Sequence, residues 1–165
     1  MSENNNGTAI TVPAFRHCKE LRLNLSAWNV IKARMHETEN LIPANYSAIE
    51  YVVQAAWRES KSNCNQINTA IKKAKKNINE IKADIILVEI PKMLESMPKN
   101  ANNADFRNAV FAKNEDYQAA TEHLEKLEAM LAHFEAHMDS MKETSRIIKK
   151  QMDYFNKNGV SGGNY

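Results

Sequence analysis

The chain has 165 residues, enough for one domain with tails, and a formal charge of only +2. So even a balance excludes a global cationic field that would by itself draw the protein onto nucleic acid or a membrane. With only 4 Gly and 4 Pro there are too few punctuators for many short strands and turns, so an all-α fold is expected.

Residues 1–12, with Asn4, Asn5, Asn6 and Gly7, read as a disordered tail. A single helical domain is expected over 13–156, with helices at about 13–40, 45–90 and 104–156. Pro13 suits a first helical turn. Phe15, Cys18, Leu21, Leu25, Trp28, Ile31 and Met35 then recur at helical spacing. Pro43 disfavours helix at the residue before it and closes this segment. The second helix carries Val53, Trp57, Ser60, Cys64, Ile67, Ile71, Ala74, Ile78, Ile81, Ile85 and Val88 in steps of three and four. Pro91 should kink or end it, and Pro98 to Asn103 read as the connector.

The third helix runs into the longest seam of the chain. Tyr117, Ala120, Leu124, Leu127, Leu131, Phe134, Met138, Met141, Ser145, Ile148, Met152 and Phe155 follow an a/d repeat in which only Ser145 is polar. Outside the seam stand Glu122, Glu125, Lys126, Glu128, Glu135, Asp139, Lys142 and Glu143, a solvated face. At about 1.5 Å per residue the seam is roughly 58 Å long and needs a partner helix to cover it. Residues 157–165 read as a second disordered tail.

A short connector between two long seams predicts a long antiparallel helical hairpin, coiled-coil-like, with the N-terminal helix packing across it as a third member or reaching to a second subunit. In a pair turning near residue 100, Lys72, Lys73, Lys75 and Lys76 face Glu122, Glu125 and Glu128. Lys61 then faces Asp139, and Glu50 faces Lys149 and Lys150. Opposite charges meeting along the length select this register and direction. The seams can be satisfied within one molecule or in a homo-oligomer, and the sequence leaves both open.

Cys18 and Cys64 fall at or near apolar helix positions and read as buried free thiols in a reducing cytoplasm. The N-terminus has no signal-peptide pattern, and no apolar run approaches the ~20 residues of a membrane span. The expectation is a cytoplasmic protein with no membrane contact.

Two clusters could carry chemistry. Lys72, Lys73, Lys75 and Lys76 put four positive charges within two turns, enough to sit on phosphates and release counterions; alternatively they only pair with the acidic helix opposite. Arg146, Lys149 and Lys150 form the second cluster, which the same register brings near Trp57, Arg58 and Lys61. Cations beside an accessible aromatic suit a single strand, although Trp28 and Trp57 sit in seam phase and read as core. His133 and His137 have metal-ligand spacing, but no carboxylate completes a set, so an exposed stripe with His123 is expected and no metal. No phosphate-cradling glycine loop, nucleophile elbow or metal-spaced cysteine pair occurs. Glu115–Asp116 and Glu122–Glu125 lie on exposed faces where nothing would raise a carboxyl pKa. Neither an enzyme nor a cofactor is expected.

The segment Phe106-Arg107-Asn108-Ala109-Val110, then Asp116-Tyr117-Gln118-Ala119-Ala120 and the charged seam to Lys150, resembles the C-terminal half of small helical bacteriophage proteins. These look akin to UvsY-like recombination mediators, which load a recombinase onto single-stranded DNA. The resemblance covers about a third of the chain and transfers no site residue. It implies a self-associating, DNA-binding accessory factor of phage origin, acting with a recombination or replication partner in the host cytoplasm. The expected function is therefore single-stranded DNA binding through Lys72, Lys73, Lys75, Lys76, Arg146, Lys149 and Lys150. The alternative is a helical protein–protein module acting on a host protein, and a third class is a structural coiled-coil element.

Overall fold

The computed structural model describes residues 2–3, 7–96 and 103–158, so the expected connector at 98–102 and the tail beyond Asn158 lie outside the described residues. The chain is mainly helical. Strands β1 (Ser2–Glu3), β2 (Ala9–Val12) and β3 (Leu21–Asn24) precede helices α1 (Ser26–Ala33) and α2 (Met35–Glu39). The long helix α3 (Tyr46–Asp84) continues through a π-helical turn (Ile85–Glu89) into α4 (Ile90–Leu94), and α5 (Ala104–Lys113) and α6 (Glu115–Lys157) complete the order. Contacts group these elements into two compact units.

The N-terminal region departs from expectation. The strands form an antiparallel sheet in the order β1-β2-β3, with Ser2 opposite Thr11 and Val12 opposite Leu21. Residues 9–12 are thus strand rather than tail, and the helix expected from 13 begins only at Ser26. The physical reason is a period-2 pattern. Leu23 is fully buried between exposed Arg22 and Asn24, whereas a helical seam through Leu21 and Leu25 strands Leu23 on the polar face. Between β2 and β3, Phe15 and Cys18 exchange backbone hydrogen bonds of 2.9 and 2.8 Å around Arg16, whose φ is 46°. That turn cannot continue a helix.

Unit 1 comprises Leu21–Gln66 and the described parts of Met1–Val12 and Leu131–Tyr165. Its core joins Ile31 and Leu41 to Ile49, Val53 and Ala56 of α3 and to Met141 and Ile148 of α6. Helix α1 has no side-chain cap of its own; α3 supplies one. The Glu59 carboxylate accepts from Ser26 Oγ, Ala27 N and Trp28 N, each at 3.0 Å, satisfying the orphan donors of a helix start. Fully buried Asn63 donates to the Asn24 carbonyl at 2.7 Å and ties α3 to β3.

Unit 2 comprises Pro13–Glu20 and the described parts of Ile67–Met130. Ile78, Ile81, Ile85 and Ile90 pack with Val110 and Ala120, and Phe15 covers this cluster. The expected break at Pro91 takes the form of the π turn: Ile90 N bonds to Ile85 O, and proline stands in the first turn of α4. One extra residue per turn rotates the seam, so Ile90 is 3% exposed while Val88, expected inside, is 48% exposed. The third helix is also interrupted, at Asn114. Its Oδ1 accepts from Tyr117 N at 2.9 Å to cap α6, and its Nδ2 donates to Glu89 at 3.2 Å.

The remaining seam follows the periodicity. From Val53 of α3 to Ile85 of the π turn every seam position is buried or half-buried. On α6 the same holds for every position from Tyr117 to Phe155, Ser145 included.

Candidate nucleic-acid interface

In unit 1, residue numbers on α3 rise as those of their partners on α6 fall. Glu50 meets Lys149 at 3.9 Å, and Gln54 Nε2 donates to Ser145 Oγ at 3.2 Å. Beside this line an open cleft of about 870 Å³ is lined by Val53, Gln54 and Trp57 of α3 and by Met138, Met141 and Ser145 of α6. Lys142, Arg146 and Lys149 stand along its α6 wall with Asp139 and Glu143. Spacing at i, i+4 and i+7 puts these three cations on one helix face. From α3, Lys61 Nζ lies 5.0 Å from the Trp57 ring centroid.

Arg146 and Lys149 are each paired with a carboxylate, but weakly. Arg146 reaches Glu143 at 3.2 Å, with side chains 65% and 54% exposed. Lys149 is 60% exposed and lies 3.9 Å from Glu50, whose side chain is 23% exposed. Such exposed pairs are worth about 0–1 kcal/mol, so an incoming anion can exchange with the carboxylates. Tyr46 hydrogen-bonds Glu50, and this, followed by burial, raises the tyrosine pKa above its usual value. Arg146 and Lys149 are therefore brought together beside Trp57, as the register expects. Lys150 is exposed and does not line the cleft. Lys142 is the cation that sequence reasoning left on a plain solvated face; its signal was the i, i+4 spacing to Arg146.

The lysine run lies in unit 2 and divides. Lys75 Nζ pairs with Glu128 at 3.0 Å, between helices, and Lys76 pairs with Glu80 of its own helix at 3.6 Å. Lys73 is exposed and close enough to Cys18 to oppose the burial that raises that thiol's pKa. Lys72 is exposed, with no ion pair among the described residues. Two of the four charges are thus engaged with carboxylates, one of them in the facing acidic run.

Trp28 and Trp57 are both half-buried and pack against the unit 1 core, the side that their seam phase expects. Trp28 stacks on His137 with centroids 3.8 Å apart, and Phe15 stacks on His123 at 5.1 Å. The expected exposed histidine stripe therefore holds for His133 only. Helix α1 covers His137, and the turn at 13–20 covers His123. No group of three or more metal-ligating side chains occurs among the described residues. Cys18 and Cys64 are buried and free, and burial raises the pKa of each. None of the described helices is long and apolar enough to cross a membrane. No protein-family model, curated protein or solved structure matches this chain.

Proposed function

We propose that this protein is a non-enzymatic accessory factor that holds single-stranded DNA along the cationic wall of the unit 1 cleft and works beside a recombination or replication partner in the cytoplasm. The observation that supports this reading is the placement of Lys142, Arg146 and Lys149 on one face of α6, along an open cleft. Cations at that spacing can each seat a backbone phosphate and release a counterion. In this reading α3 and α6 form one long antiparallel hairpin, and its length serves to present a strand-binding surface. The resemblance to UvsY-like mediators points the same way. The main binding charge is assigned to the C-terminal cluster because Lys142, Arg146 and Lys149 share one open cleft. The ion pairs of Lys75 and Lys76 are about as exposed as that of Arg146 and do not decide it.

The test is fluorescence anisotropy of a labelled oligonucleotide titrated across a salt series. Binding should weaken steeply with salt and be lost in Arg146→Glu/Lys149→Glu, while Lys75→Glu/Lys76→Glu keeps most of it. Absence of binding even at low salt sinks the reading.

A second reading has its own observation. Ile86, Leu87, Val88 and Met93 are between 41% and 73% exposed within eight residues of one another, next to the π turn. An apolar cluster of that kind suits a protein–protein module. Stoichiometric association with one protein in the absence of DNA, lost in Leu87→Lys, would favour it.

A further inference from the structure

We infer that Trp57 is a nucleobase platform, and that Lys61 covers its ring only until a strand arrives. The inference rests on the nucleic-acid reading above and adds the contact that selects an unpaired strand.

Packing leaves the indole partly open. Val53 and Met141, which line the same cleft, are 0% and 1% exposed, yet Trp57 is only half-buried. Trp57 is among the residues that line the cleft, and Lys61 lies over its ring from one turn further along α3. The exposed Lys61 cation over the ring shows that a mobile, solvated side chain occupies an indole face, drawn by its negative quadrupole. Trp28 makes the contrast. Both tryptophans pack against the cluster of Ile31 and Ile148, but a face of Trp28 is taken by His137, whereas Trp57 lines the cleft with Arg146 and Lys149.

The exchange is chemically simple. Arg146 and Lys149 release Glu143 and Glu50 to take phosphates, Lys61 follows onto a phosphate, and a base lies on the vacated indole. Nothing covalent changes. Bases in a duplex are already stacked on both faces, so only an unpaired base can make this contact, and any base can. The cations alone would not discriminate single from double strands.

The test compares an eight-residue oligothymidylate with an octamer of abasic sites carrying the same phosphates, both read by anisotropy against the full chain at low salt. The thymidylate should bind about 5- to 100-fold tighter. Trp57→Ala should bind both octamers as the unaltered chain binds the abasic one, and Trp57→Phe should recover part of the difference. Lys61→Ala should keep the ratio while reducing the salt slope by about one phosphate contact. In case Trp57→Ala disturbs the fold, emission from Trp57 in a Trp28→Phe chain supplies a second readout: thymidylate should quench it and the abasic octamer should not. Equal affinity for the two octamers, with salt dependence retained, overturns the platform and leaves the phosphate-binding reading standing. Duplex binding as tight as thymidylate overturns it too. Binding of neither octamer overturns both readings.

Discussion

The indole of Trp28 lies nearly flat on the imidazole of His137, with planes 10° apart and centroids 3.8 Å apart. The stack joins α1 to α6 and has a chemical cost. His137 Nδ1 is buried and has no hydrogen-bond partner among the described residues, so a proton added there has no acceptor.

Stability should therefore fall on mild acidification. Burial first, then neighbouring His133, holds the His137 pKa below the usual histidine value; burial and Lys126 do the same to His123. The unfolded chain, titrating near about 6.5, binds these protons more readily than the fold does. The stabilisation is thus complete above about pH 6.5 and is lost as the pH drops through the lowered folded values. Melting temperatures measured from about pH 7.5 down to 5 should decline, and His137→Phe should flatten part of that decline. A melting temperature that stays level or rises over this range contradicts the assignment.

Glu59 should matter more than an ordinary surface carboxylate. Its three hydrogen bonds to the start of α1 predict a loss of about 1–3 kcal/mol in Glu59→Ala, the range of a lost cap with charge assistance. Glu59→Gln should recover part, since the amide oxygen still accepts. Urea titration followed by far-UV circular dichroism reads both, and an unchanged midpoint in the alanine variant rules the cap unimportant.

The π turn makes a contrasting pair of predictions for residues two apart. Ile90→Ala should cost about 2–5 kcal/mol, because the side chain is buried in the unit 2 core. Val88→Ala should stay within about 0.5 kcal/mol, because that side chain is exposed. Denaturant midpoints of the two variants decide the phase. The reverse ranking would mean that an uninterrupted α-helical seam runs through Val88.

Lys75 and Glu128 test the alignment of the helices in unit 2. Lys75→Glu opposite Glu128 should destabilise by about 0–1 kcal/mol, and adding Glu128→Lys should restore most of the loss. Repeating the cycle in high salt should shrink the coupling energy. Additive single effects, with no coupling at low salt, would mean the pair does not form.

Much of the helical pattern was legible because an a/d seam is a local property. Steps of three and four place Leu127, Phe134, Met141 and Ile148 on one side of α6 whatever covers them, and all four are 1% exposed. The strands were hidden for the opposite reason. Ala9 and Asn24 pair across a sheet, and no window of neighbouring residues contains that pairing; Leu23, out of helical phase, was the one local sign. At the candidate site, charge register foresaw that Arg146 and Lys149 would lie near Trp57. Periodicity could not say that Trp57 would stay half open, because exposure depends on whether another element arrives to cover that side.

Periodicity and composition alone settle the mainly helical chain and the residues each long helix turns inward, because burying an apolar stripe follows from helix geometry. Packing settles the rest. It assigns Lys75 to Glu128 and leaves Lys72 exposed; it sets His137 against Trp28; and it opens a cleft beside Arg146. These outcomes depend on which side chains meet across elements far apart in the chain, and side chains with the same local spacing meet quite different partners there.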